Sequence, residues 1–282
     1  MRVFIRKMIG MLCVLILLMG NAHFCLADDL TDTEAFFTRQ EGYSGLVEVP
    51  GRGLMRYYAQ NDPLWGGLCY ERANTSTRRP CRDAACGPFT AAMAVANLIN
   101  DDEFAQIAQY AKQEYSLCPC SVNAVRCIHY HARYVLTSQR DFIRFLPLAF
   151  ADFATGNNTF GTVSRTEEVG TGTGFIHYIA QVYGLEVRVT NDYQQAVEAL
   201  RAGDSVIAAA SKGGAFTNTG HYVYLASIDD ERLYILDPLR RETYKTNQAR
   251  KLEIIQPGLV ALTHENVQAA GLGSFMILHR PK

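Results

Sequence analysis

The second half of the chain alternates between two hydrophobic periods, and their order predicts most of its elements. From Phe175 to Tyr183 apolar residues recur at helical spacing, and Gly184 follows as a C-terminal cap. Leu185–Thr190 reads as a strand, Asp192–Arg201 returns to the helical period, and Gly203 closes that helix. Ser205–Ala210 is an apolar run of strand length, after which Gly213 and Gly214 open a loop. Two strands, His221–Ile228 and Leu233–Leu236, flank the turn Asp229-Asp230-Glu231-Arg232, and a last strand is predicted over Phe275–Leu278.

The first half offers one strong helix, Gly87 to Ile99. Pro88 stands in its first turn, where a missing N–H costs nothing, and Phe89, Ala92, Met93 and Ala96 share one stripe. Before it, Gly51 and Gly53 lead into an aromatic segment from Tyr57 to Trp65. The stretch from about Asn100 to Gly172 is less regular. It holds a helical start at Phe104–Tyr115, a cysteine cluster, a second helix at Ser138–Phe153 and a loop rich in Gly, Thr and Asn. Helices early and a mostly antiparallel sheet late predict an α+β fold.

Length and composition bound the rest. A chain of 282 residues, 48% hydrophobic and 20% charged, suits one large domain or one domain with an insertion. The formal net charge of -1 supplies no global basic field, so nucleic acid is not expected as a partner. At the N-terminus Arg2, Arg6 and Lys7 precede an apolar run from Met8 to Met19, which is short for a bilayer and suits a signal peptide. Ala22 after Gly20, or Ala27 after Cys25, offers a cleavage position; an N-terminal membrane anchor is the alternative. We expect a signal peptide over 1–27, a leader over 28–51, and one domain over 52–282 with an insertion at about 100–172. The mature protein, near -4, would then be secreted or periplasmic, in the cell envelope, with no stable membrane insertion.

Export changes how the cysteines read. Removing Cys13 and Cys25 leaves Cys69, Cys81, Cys86, Cys118, Cys120 and Cys127. In an oxidising compartment the simple reading is three disulfides. A free Cys86 would leave five others, and parity counts against it. Cys69 and Cys81 flank one loop and are expected to pair. Cys118, Cys120 and Cys127, with His129 and His131, could hold zinc, but the one-residue spacing of Cys118 and Cys120 is narrow for a zinc knuckle. A disulfide from Cys127 to one of them is favoured, so no metal or cofactor is expected.

The candidate chemistry lies at Cys86. A cysteine at a helix N-terminus faces open backbone N–H groups and the positive end of the helix dipole, and both favour thiolate. Gly87 would leave room for a substrate carbonyl, with the Cys86 amide donating to a developing oxyanion. A small packing residue or half of a disulfide would fit the same motif. The other end of the chain adds weight. Gly220-His221-Tyr222-Val223 puts a histidine at the start of an apolar strand, and Leu236-Asp237-Pro238 ends the next strand in a carboxylate. Antiparallel neighbours bring the start of one close to the end of the other, so His221 and Asp237 are expected to pair.

Four segments, Tyr58-Ala59-Gln60-Asn61-Asp62-Pro63-Leu64-Trp65, Ala85-Cys86-Gly87-Pro88, Gly220-His221-Tyr222-Val223 and Leu236-Asp237-Pro238, together resemble the bacteriocin-processing (double-glycine) peptidase-like family. These are papain-like cysteine peptidases of the bacterial cell envelope. The resemblance covers about Tyr57 to Pro88 and Gly174 to Pro238. It implies a papain-like fold, with a helical lobe bearing Cys86 and an antiparallel sheet lobe bearing His221 and Asp237. It also implies Cys86 as nucleophile, His221 as general base, Asp237 as its orienter and Gln60 as a side-chain oxyanion donor. The expected activity is hydrolysis of a peptide or related amide in a peptide or protein substrate, through a thioester. Transfer to an amine stays open. A non-catalytic module binding peptide or glycan on the same fold is the rival, and the sequence does not give the oligomeric state.

Overall fold

Seven strands form one antiparallel sheet, built mainly from the region where the hydrophobic periods are clearest. The computed structural model describes residues 42–70, 79–99, 146–151, 154, 171–246 and 248–281. These all lie in one compact unit, Gly42–Lys282. The signal segment, the helical start at Phe104–Tyr115 and the cluster of Cys118, Cys120, Cys127, His129 and His131 lie outside the described residues.

A hairpin comes first, β1 (Gly45–Val49) against β2 (Gly53–Tyr57), in the register Gly45↔Tyr57 to Val49↔Gly53. Residues 45–49, expected within the leader, are therefore the first strand of the compact unit. Gly51 and Gly53 take left-handed φ values of 73° and 79° at its turn, which a side chain would strain. Two short strands, β3 (Cys69–Tyr70) and β4 (Arg79–Pro80), pair antiparallel and lead into α1 (Cys81–Ala84). The proposed Cys69–Cys81 disulfide rests on the Cys69 side chain, which lies outside the described residues.

One residue, Ala85, separates α1 from α2 (Cys86–Ala96). Every residue of α2 is buried. The sequence predicts a single apolar stripe, but the helix is covered on all sides because its polar face carries only glycine, alanine and threonine. It rests on the sheet and is fastened there by side chains. Thr90 Oγ1 donates to the Tyr222 carbonyl at 3.2 Å, and Ser205 Oγ donates to the Ala94 carbonyl at 2.8 Å. At its C-terminus Asn97 pairs with both backbone groups of Arg56, at 2.8 and 2.9 Å, tying the helix to β2.

The sheet follows after α3 (Thr173–Val182). Its strands are β5 (Glu186–Thr190), β6 (Ser205–Ala210), β7 (His221–Ile228), β8 (Arg232–Leu236), β9 (Glu253–Gln256), β10 (Leu259–Thr263) and β11 (Leu272–His279). Their spatial order is β5-β11-β6-β7-β8-β10-β9. Helix α4 (Tyr193–Ala202) starts on Asp192, whose side chain accepts the Gln194 N–H, and ends on Gly203 at φ 91°. Val206, Ala208, Val223 and Leu225 share a core with Ala196 and Leu200 of α4. By strand alternation Ser205, Ile207, Tyr222 and Tyr224 face the other way, toward α2. The sheet is thus covered on both faces, and the result is a mixed α+β fold with a large antiparallel sheet and few helices. Strands β9 and β10 and the β1–β2 hairpin were not foreseen from the sequence.

Candidate active site

Cys86 is the first residue of α2, and Ala85 before it offers no capping side chain. The first N–H groups of the helix are therefore not consumed by the helix itself. His221 and the backbone N–H of Tyr222 lie near enough to its thiol to act on its ionisation. Burial alone would push the thiol pKa up. The hydrogen bond and positive charge of His221, with the Tyr222 N–H, outweigh it and hold Cys86 below the ordinary thiol value.

His221 opens β7, paired with Ala210 of β6, and lies 7% exposed. Its Nε2 meets Asp237 Oδ1 at 2.7 Å, which leaves Nδ1 as the nitrogen facing the thiol. The register Tyr224↔Leu236 between β7 and β8 produces this pairing. Burial would lower the His221 pKa, but the charge and hydrogen bond of Asp237 and the contact with Cys86 raise it to about 9. The two shifts point the same way. Both favour the thiolate–imidazolium form of the pair.

Asp237 is fully buried and held at four points. Besides His221, its Oδ1 accepts the Leu239 N–H at 2.8 Å, while Oδ2 accepts the Tyr244 hydroxyl at 2.8 Å and lies 3.4 Å from Arg241 Nη2. Burial would raise its pKa. The charge of His221, its hydrogen bond, Arg241 and the Leu239 amide overcome that and keep it below the ordinary carboxylate value. From the other side, the Tyr57 hydroxyl donates to the Asp237 carbonyl at 2.8 Å.

Gln60 sits in the same cleft, nearly fully buried. Its backbone N–H donates to the Pro238 carbonyl at 2.6 Å, and its Nε2 donates to the Arg82 carbonyl of α1 at 2.7 Å. That second contact fixes the amide orientation, because a flipped side chain would set two carbonyl oxygens together. Nε2 then has one hydrogen left for a ligand, and Oε1 has no partner among the described residues. Asn61 grips Arg240 through both its backbone N–H and its carbonyl, at 2.9 and 2.8 Å, and Asp62 caps the N–H groups of Tyr43, Ser44 and Leu64. Trp65 Nε1 donates to the Ala59 carbonyl, and its ring lies 5.7 Å from Phe89 of α2. The Tyr57–Trp65 segment is thus stitched at once to the residues after Asp237 and to the helix bearing Cys86.

The structure brings all four expected residues, Cys86, His221, Asp237 and Gln60, into one place, with Cys86, His221 and Gln60 on the wall of a cleft of ≈ 460 Å³. One expectation is corrected. The space beside Gly87 does not stand open for substrate. Thr171 fills it, and a Cβ on Gly87 would lie 2.5 Å from Thr171 Cβ. Thr171 is in turn fixed by a 2.7 Å hydrogen bond with the Tyr70 hydroxyl. Tyr244, Arg241 and the Tyr222 amide were missed, since no local pattern marks a residue that acts seven positions away or through its backbone. The role of Asp62 had a local signal, the Asn-Asp-Pro turn. Among the described residues no three His, Cys, Asp or Glu side chains gather as metal ligands would.

Comparison with protein-family models gives no match, and comparison with curated protein sequences gives none either.

Proposed function

We propose that the chain is an exported papain-like cysteine hydrolase that cleaves a peptide or related amide through a thioester. One observation carries the reading. A thiol at the start of a buried helix adjoins an imidazole, in one cleft, whose Nε2 lies 2.7 Å from a fully buried carboxylate. Nucleophilic catalysis needs that order of groups.

In the proposed reaction the Cys86 thiolate attacks the carbonyl carbon of the bound amide. The carbonyl electron pair moves onto oxygen, where the Cys86 N–H and the remaining hydrogen of Gln60 Nε2 receive it. His221 gives its proton to the departing amine as the C–N bond breaks and the thioester forms. A water molecule, deprotonated by the now neutral His221, attacks the thioester, releasing the acid and restoring the ion pair. Asp237 keeps the imidazole oriented and offsets its charge. The apolar N-terminal run motivates export, and no helix among the described residues is long and apolar enough to cross a membrane.

A peptidyl acyloxymethyl ketone, which alkylates an activated thiol from a peptide-binding site, tests this reading. Labelling confined to Cys86, and lost in His221→Ala, is the expected result. A folded protein whose Cys86 is not alkylated by the peptidyl probe would fit the binding-module rival instead.

A further inference from the structure

The cleft around Cys86 is walled by polar and charged groups, with Leu239 and Tyr222 the only large apolar side chains on it among the described residues. Such walls give little purchase to an apolar substrate side chain. Two loops, 217–220 and 239–246, line the cleft, and two side chains of the second bond to backbone carbonyls just before the first. Arg241 Nη1 donates to the Phe216 carbonyl at 2.6 Å, and Thr246 Oγ1 donates to the Ala215 carbonyl at 2.7 Å. These bonds hold Lys245, which lies between them in sequence, beside the loop of Thr217 and Thr219. Thr217 Oγ1 accepts the Thr219 N–H at 3.0 Å and bonds the Thr219 hydroxyl at 3.1 Å, so with Thr219 as donor in that pair the Thr217 hydroxyl hydrogen remains for an acceptor.

Charge on the cleft is uneven. Arg241 is turned inward to Asp237, but Lys245 and Arg79 of β4, both on the cleft lining, are exposed and form no ion pair among the described residues. Among the described residues Asp83 is the one carboxylate lining the cleft. The chain as a whole carries a net charge of -1, so attraction for an anion would come from this wall and not from the global field.

Resting on the hydrolase reading and extending it, we propose that the cleft selects an acidic peptide segment, with Lys245 and the Thr217 hydroxyl receiving one carboxylate and Arg79 serving a second. Lys245 and Arg79 are then specificity-determining residues. They act on binding, and the thiolate pair acts on the bond.

The test uses the full mature chain carrying Cys86→Ala, so that binding is read without turnover. Fluorescein-labelled peptide amides alternating glycine with glutamate, and their glutamine counterparts, are titrated by anisotropy. The glutamate peptide is expected to bind roughly tenfold more tightly at low salt, as two cations near carboxylates in a wet cleft allow. That ratio should shrink in 1 M salt, where the screening length falls to about 3 Å. It should also fall toward one in the Lys245→Met, Arg79→Met double variant. A glutamine peptide with a free C-terminal carboxylate separates the two sources of anion. Binding like the glutamate amide would move the site's preference to a chain terminus and overturn the acidic-segment form of the proposal. Equal binding of glutamate and glutamine amides, no binding of either, or a glutamate preference that survives the double variant overturns the anionic wall. None of these bears on the nucleophile, which alkylation of Cys86 in the unsubstituted protein reports separately.

Discussion

Replacing Asp237 with asparagine removes a charge while leaving the shape of the site. Asn Oδ1 can still accept from His221 and from the Leu239 amide, as the carboxylate does at 2.7 and 2.8 Å. The Tyr244 hydroxyl, a donor to Oδ2 at 2.8 Å, can rotate to accept from the new amide. The lost quantity is the attraction that, with Cys86, lifts His221 from 6.5 to about 9 against burial. At about 1.4 kcal/mol per pKa unit, that rise is worth roughly 3 kcal/mol. Part of it comes from Cys86 and from the retained hydrogen bond, so the thiolate–imidazolium population should fall by about tenfold to a hundredfold. The sign follows from the two shifts. A raised His221 contributes stability that is whole below about pH 6.5 and is lost as pH rises through about 9. A lowered Asp237 contributes above its ordinary 3.8 and loses that as pH falls through its depressed value. The assay is the rate of Cys86 alkylation by iodoacetamide against pH. In the unsubstituted protein the rate should stay high well below the ordinary thiol range. In Asp237→Asn its acid limb should move up toward that range. An unchanged acid limb in a folded Asp237→Asn protein, checked by near-ultraviolet circular dichroism, would refute the assigned role of Asp237.

Gly87→Ala should destabilise the fold, because the new Cβ meets Thr171 Cβ at 2.5 Å and Thr171 is held by Tyr70. Overpacking of this kind costs about 1–3 kcal/mol, read as a lower melting temperature or denaturant midpoint. Adding Thr171→Gly should restore part of the loss, whereas Thr171→Ala should not, since the closest contact is with Cβ itself. Gln60→Ala should lower turnover roughly a hundredfold with little change in the Cys86 alkylation profile, because it removes an oxyanion donor and leaves the ion pair intact. An equal loss in both readouts would show that Gln60 acts by shaping the loop.

Strands β6 and β7 have the bounds that their apolar runs predict, and α4 begins and ends at the Asp192 and Gly203 caps. Elements whose buried face matches one simple period were therefore legible. The β1–β2 hairpin was not. Leu46 and Leu54, 60% and 66% exposed, occupy outward positions and erase the alternation set by Val47, Val49, Met55 and Tyr57. Strand β10 hides for a different reason, since Leu259 to Leu262 are all buried between β8 and β9 and an unbroken apolar run has no period. In the site, His221 and Asp237 could be paired because one hairpin carries both. The Gln60–Arg82 contact and the Tyr244 and Arg241 hold on Asp237 depend on loop paths that no local pattern records. Only a resemblance pointed to Gln60, and the structure gives the physical reason for its place in the Asn61 clasp on Arg240.

The central claim is that Cys86 carries the acyl group, and an acid-quenched reaction reads that group directly. The protein is mixed with an activated peptidyl ester, stopped in acid within the first turnovers, digested and mapped by mass spectrometry. An acyl increment is expected on the peptide containing Cys86, removed by neutral hydroxylamine as a thioester should be, and absent in Cys86→Ala. Turnover with no adduct on Cys86, or undiminished turnover in Cys86→Ala, would contradict the claim.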